Sequence, residues 1–216
     1  VAWAAARVLE AAGYRVHVPG ADTCCGLTWI TTGQLDAARR ILSGTVESLV
    51  AAADAGWPIV GVEPSCTAVL RGEALDLVGG PAAERVAAAT RTLAELLTAT
   101  PGWTPPDLTG VEIVAQPHCH HASVLGWSAD AALLARAGAS VTRLGGCCGL
   151  AGNWGVESGH HDVSVAIAEQ QLLPAVRDLG PGAVVLADGF SCRTQLDQLS
   201  DRQGQHLAEL LAARLP

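Results

Sequence analysis

Residues 2–12 place Ala and Leu at helical spacing and stop at Gly13, which suits the turn that ends a helix. Residues 14–18 read as a short strand, 19–33 as a loop, and 34–55 as a long helix closed by Gly56. An apolar run over 58–62 reads as a buried strand that delivers Cys66 just past its end, followed by helices near 67–77 and 82–98. After a Pro- and Gly-rich stretch the pattern restarts, with a strand over 111–115, a helix over 128–137 and a strand over 140–144. A glycine-rich loop around Cys147, a helix near 161–179 and a strand over 183–187 complete it. Strands alternating with helices of this length predict an α/β fold with parallel sheets and helices on their faces. Ligands of such Rossmann-like layers sit beyond the carboxyl ends of the strands, where Cys66, Cys119 and Cys192 fall.

The pattern also repeats. Ala12-Gly13-Tyr14-Arg15-Val16 is echoed by Ala137-Gly138-Ala139-Ser140-Val141, and Cys24-Cys25-Gly26-Leu27 by Cys147-Cys148-Gly149-Leu150. Ser65-Cys66 pairs with Ser191-Cys192, and Leu93-Ala94-Glu95-Leu96-Leu97 recurs verbatim from Leu207 to Leu211. Order is kept across offsets of about 114 to 126 residues, so two tandem pseudo-repeats are expected. They divide as residues 1–100 and 111–216, with 101–110 as the linker. The strand that precedes Cys119 has no counterpart in the first unit. The equivalent of Cys119 is expected about six residues before Val1, so the first strand is expected to be absent and the chain reads as a fragment of a longer product.

Composition narrows the function. Half of the 216 residues are hydrophobic and 16% are charged, which argues against disorder. A net charge of -8 disfavours nucleic acid and anionic membrane as partners. No apolar run is long enough for a transmembrane segment, and no signal peptide opens the chain. A cytoplasmic protein, or one peripheral at the inner face of the membrane, is expected. The absence of Lys and Met and the scarcity of Phe and Tyr fit GC-rich codon usage and carry no functional weight.

Seven cysteines without an export signal do not read as a disulfide framework, and an odd number leaves one unpaired. Their placement in repeat-related loops favours thiolate ligation over seven small buried hydrophobes. The second unit offers Cys119, Cys147, Cys148 and Cys192; the first offers Cys24, Cys25 and Cys66. Four thiolates can hold a [4Fe-4S] cluster or a tetrahedral zinc ion. Ligands spread over some 70 residues differ from compact zinc knuckles and suit a cluster seated in an existing fold. His118, His120 and His121 surround Cys119 as further candidates for zinc ligation or proton delivery, His121 the weakest, with solvated imidazoles as the plain alternative. His160 and His161 read as surface residues.

Doubled Cys-Cys-Gly loops, each followed some forty residues on by a strand-end Cys, resemble the cysteine-rich domain of the heterodisulfide reductases. The iron–sulfur subunit of glycolate oxidase has the same domain. The segments Pro117-His118-Cys119-His120-His121, Gly146-Cys147-Cys148-Gly149-Leu150-Ala151-Gly152 and Asp188-Gly189-Phe190-Ser191-Cys192-Arg193 are most similar to the C-terminal regions of FAD-linked oxidases of the D-lactate or glycolate dehydrogenase type. That family's fuller motif ends in Cys-x-x-Cys, whereas Thr67-Ala68-Val69 follows Cys66 and Arg193-Thr194-Gln195 follows Cys192.

The resemblance implies an iron–sulfur electron-transfer domain, part of an oxidoreductase and inactive alone. Its implied partners are flavin-binding and ferredoxin-like domains of the same parent, with FAD held there, and a quinone or other electron acceptor. The alternatives are a heterodisulfide-reductase-like thiol–disulfide catalyst and a zinc-bound or metal-free docking module.

Overall fold

The computed structural model describes residues 1–20 and 23–216. In the first half, α1 (Ala2–Ala11) buries Val8 and Leu9, and α2 (Leu27–Thr31) follows the first Cys-Cys-Gly loop. Helix α3 (Leu35–Asp54) buries Ala38, Leu42, Val46 and Leu49 at spacings of three and four, the stripe that lets a long helix lie on a core. Strand β1 (Ile59–Gly61) leads into α4 (Pro64–Arg71), whose Pro64 sits in the first turn where its missing N–H costs no hydrogen bond. Then come α5 (Glu73–Leu77), α6 (Gly80–Ala89), β2 (Thr90–Thr92) and α7 (Leu93–Ala99). Strands β1 and β2 form a two-stranded parallel sheet, Val60 opposite Arg91.

The second half holds β3 (Glu112–Ala115), a π-helical turn His121–Leu125, α8 (Ser128–Arg136) and β4 (Ser140–Arg143). A 3-10 turn Trp154–Val156, α9 (His161–Ala168), α10 (Leu172–Arg177), β5 (Val184–Leu186), α11 (Phe190–Leu199), β6 (Gly204–Gln205) and α12 (Leu207–Ala212) follow. Its sheet is parallel throughout, in the order β4-β3-β5-β6. The architecture is the α/β arrangement of small parallel sheets flanked by helices. One order recurs, with α5 and α6 inserted in the first instance: strand, cysteine-bearing helix, parallel strand, boxed helix, at β1, α4, β2, α7 and at β5, α11, β6, α12. In both copies the last helix opens with a capping box, Thr92 with Glu95 and His206 with Glu209.

Three expectations are corrected. Residues 14–18 form no strand; the Tyr14 hydroxyl bonds the Thr100 hydroxyl at 2.8 Å, and Val18 lies exposed. The helix expected over 82–98 is broken by β2, because two β-branched threonines pair with β1 and Thr92 then caps α7. The helix expected over 161–179 divides at Gln171, whose side chain bonds the Cys147 loop. Among the described residues no helix is long and apolar enough to cross a membrane.

The largest core joins both halves. Val8 of α1 and Leu93 and Leu97 of α7 pack with Ile113 of β3, Leu133 and Leu134 of α8, and Leu207 and Leu211 of α12. A second cluster on the larger sheet includes Cys148 and Cys192, and a third packs α3 against α4, α5 and α6. Leu211 is fully buried in the shared core. Leu211→Ala is expected to lower unfolding free energy by about 2–5 kcal/mol in urea titration. A loss below about 1 kcal/mol would mean that the halves do not depend on this packing.

Candidate metal centre

Each Cys-Cys-Gly loop is held by polar side chains. The Cys24 amide donates to the Thr45 hydroxyl at 3.0 Å, and that hydroxyl donates back to the Cys24 carbonyl at 2.6 Å. In the second loop the Gln171 carbonyl oxygen accepts the amides of Gly145 and Gly146, while the Gln116 amide donates to the Gly146 carbonyl at 2.7 Å. The glycine that ends each motif takes a left-handed conformation, φ 73° at Gly26 and 93° at Gly149. That turn aims its N–H at the first cysteine of the pair: Gly26 N to Cys24 Sγ at 3.4 Å, and Gly149 N to Cys147 Sγ at 3.3 Å. A side chain at position 149 would also collide with the Ser164 carbonyl.

The strand-end cysteines occupy matching places. Cys66 is the third residue of α4 and Cys192 the third of α11, so both lie within a first helical turn. Glu63 ties the two helix starts together. One carboxylate oxygen accepts the Phe190 amide at 2.9 Å, and the other accepts the Ser65 hydroxyl at 3.0 Å.

The structure gathers the thiols in two sets. In the first, Cys25 and Cys66 meet sulfur to sulfur at 2.9 Å. With the proton held on Cys66, that contact lowers the Cys25 thiol to about 7, against the opposing effect of burial. The same contact and burial push Cys66 up. In the second set, a bond with Cys147 pulls Cys148 down, but its bond with Cys192 and burial outweigh this and raise it to about 12. The bond with Cys148, then burial, raises Cys147. Burial, then the neighbouring Cys147, raises Cys119. Cys66, Cys119, Cys147 and Cys148 thus hold their protons, through contacts with neighbouring sulfurs and loss of solvent, whereas Cys25 does so only below about pH 7. Cys148 and Cys192 are buried while Cys119 and Cys147 reach the surface.

The histidines near Cys119 divide sharply. The His118 ring packs on Gly189, where any side chain would collide with it, and its Nδ1 accepts the His120 amide at 3.2 Å. Burial, then His120 and His121, lowers it to about 4, so it is neutral at pH 7 with one nitrogen already engaged. His120 keeps a buried Nδ1 with no hydrogen-bond partner. His121, the weakest candidate from sequence, is 3% exposed and bonded to buried Asp130 at 3.0 Å. Glu63, Gln116, Gln171 and Thr45 were missed by sequence reasoning, since each acts through a contact distant in the chain.

The family described as a cysteine-rich domain, CCG, matches residues 1–71. A subunit of the anaerobic glycerol-3-phosphate dehydrogenase of Escherichia coli (strain K12) is 30% identical over 217 residues, covering 97% of this chain and 54% of its own. D-2-hydroxyglutarate dehydrogenase of the same strain is 32% identical over 183 residues, covering 83% of this chain and 18% of its own. Its namesake from Pseudomonas putida is 30% identical over 185 residues, covering 83% and 17%. The chain thus spans about half of the first relative and under a fifth of the others. These relatives are oxidoreductases.

In the reduced, metal-free chain, Cys25 is expected to alkylate with a midpoint near pH 7, the thiolate forming as pH rises through its lowered pKa. Cys66→Ala removes the donor and moves that midpoint upward, as mass spectrometry of labelled peptides would show. An unchanged midpoint would mean that the contact with Cys66 does not set the acidity of Cys25.

Proposed function

Residues 1–71 of this chain carry the cysteine-rich CCG domain, and from that kinship and the two thiol sets we propose that the chain is an iron–sulfur electron-transfer part of a larger dehydrogenase. The observation that supports this reading is the mutual influence of neighbouring thiols from three segments: Cys119 after β3, Cys147 and Cys148 in the glycine-rich loop, and Cys192 in the first turn of α11. The donor set fits a [4Fe-4S] cluster, which supplies one-electron transfer when bound.

Four thiols could equally complete a tetrahedral zinc site. A cluster is favoured here because the ligands are spread over some 70 residues and brought together by strand ends, unlike a compact zinc knuckle.

Around such a cluster the chain's own groups have distinct tasks. Gly149 N–H supports the Cys147 sulfur, and the first turn of α11 supports Cys192. His120, with its unengaged Nδ1, is the candidate for an additional ligand or proton carrier beside Cys119. His118 serves as a neutral packing wall. In the first set, Cys24, Cys25 and Cys66 form a lesser, three-thiol site. We read the two halves, 1–100 and 111–216, as copies joined by 101–110, supported by the recurring order of strand, cysteine helix, strand and boxed helix.

In the parent protein, electrons pass from a flavin domain, through ferredoxin-like domains and this chain, to a quinone or other acceptor. Relatives named for D-2-hydroxyglutarate support a 2-hydroxy acid as the electron source, in the class of D-lactate and glycolate. The relative named for glycerol-3-phosphate marks the other substrate that such a domain serves.

Anaerobic reconstitution with iron and sulfide is expected to give a brown protein with visible thiolate-to-iron absorption. Cys119→Ser, Cys147→Ser, Cys148→Ser and Cys192→Ser should each remove most of the bound iron, while Cys24→Ser, Cys25→Ser and Cys66→Ser should remove less. Equal loss in both sets would mean one bridging centre. A colourless wild type that retains only zinc would overturn the reading.

A further inference from the structure

A second group of metal-binding side chains lies apart from the cysteines. His121 on the π-helical turn, Asp130 on α8 and Asp188 between β5 and α11 bring one nitrogen and two carboxylate oxygens within 4.8 Å of one another. Among the described residues this is the only such group of three. It faces a void of about 20 Å³, lined also by Gly61, Val62 and Thr67 of the first half. A void of roughly 10–15 Å³ by this measure already holds a water molecule or a small ion.

We propose that His121, Asp130 and Asp188 form a sulfur-free site for one divalent cation of the zinc type, at the seam between the two halves.

The chemistry of the group supports the assignment. His121 Nε2 and Asp130 Oδ2 are 3.0 Å apart, close to the ~3.3 Å edge of a tetrahedron built on 2.0 Å bonds. One imidazole and two carboxylates make a three-ligand set whose fourth position, filled by water, fits the void. His206 stands outside it: its Nδ1 accepts the Ala208 amide at 2.9 Å, and its Nε2 bonds the Val62 carbonyl at 2.7 Å. Asp188 is partly anchored, one oxygen accepting the Leu207 amide at 2.7 Å.

Two of the three ligands come from segments that also carry cysteines. His121 lies two residues after Cys119, and Asp188 lies four before Cys192. A cation here would pin both segments against the first half without touching sulfur.

The test uses the full chain after anaerobic iron–sulfur reconstitution, equilibrated with Zn²⁺, washed, and measured for both metals by mass spectrometry. Asp130→Asn and Asp188→Asn keep the side-chain shape and the hydrogen bonds to His121 and Leu207, so each variant should fold. Each is expected to carry one zinc equivalent fewer than wild type with iron unchanged, and to lose the rise in thermal midpoint that Zn²⁺ produces in wild type. His161→Ala, on the exposed surface, should retain both. Equal zinc in wild type and both Asn variants would overturn the site, as would wild type with no zinc beyond what the thiols account for. Iron reports on the cluster and zinc on this site, so failure of one is separable from failure of the other.

Discussion

Leu97 of α7 and Leu211 of α12, both fully buried, meet α1, α8 and β3 in one apolar core to which both halves contribute. Each belongs to a Leu-Ala-Glu-Leu-Leu helix whose start is set by a capping box. Burying a leucine stabilises by roughly 1.5–3 kcal/mol, so a few such contacts equal much of a domain's net stability. Geometry at the thiols inherits this rigidity. Strands β1 and β5 are held by the helices packed on them, and each strand delivers a cysteine into the first turn of the next helix.

On that frame the cysteine loops are kept in place by uncharged polar side chains. Thr45, Gln116 and Gln171 occupy the backbone amides and carbonyls that flank the sulfurs. The glycines that close the motifs supply a left-handed turn and an N–H aimed at sulfur, two demands that a side chain would obstruct at position 149. Among the described residues no arginine pairs with a thiol, and the nearest carboxylate to the first set, Glu63, opposes thiolate formation at Cys25 and Cys66.

The histidines and carboxylates beside the thiols sort by burial. His118 is a neutral ring packed on backbone, His120 retains an unengaged nitrogen, and His121 turns inward to Asp130. Three histidines flanking one cysteine thus meet three environments. Glu63 crosses between the halves to take the first-turn amide of α11.

The sequence by itself determined the alternation of strands and helices, the two Cys-Cys-Gly loops and the pairing of Cys66 with Cys192. These are local properties: apolar periodicity, Gly at turns and short motifs are written in consecutive residues. It also carried the Leu-Ala-Glu-Leu-Leu echo, whose two helices proved to be the shared core. Tertiary structure decided what depends on distant partners. Thr90–Thr92 became a strand because β1 lay alongside, residues 14–18 did not because no ladder formed there, and Gln171 broke a helix to bond a loop. The inward turn of His121 likewise needed Asp130 and Asp188, which lie on α8 and beyond β5. Spacing along a chain reports on backbone periodicity, whereas burial and charge pairing arise only when segments far apart in sequence close around the same volume.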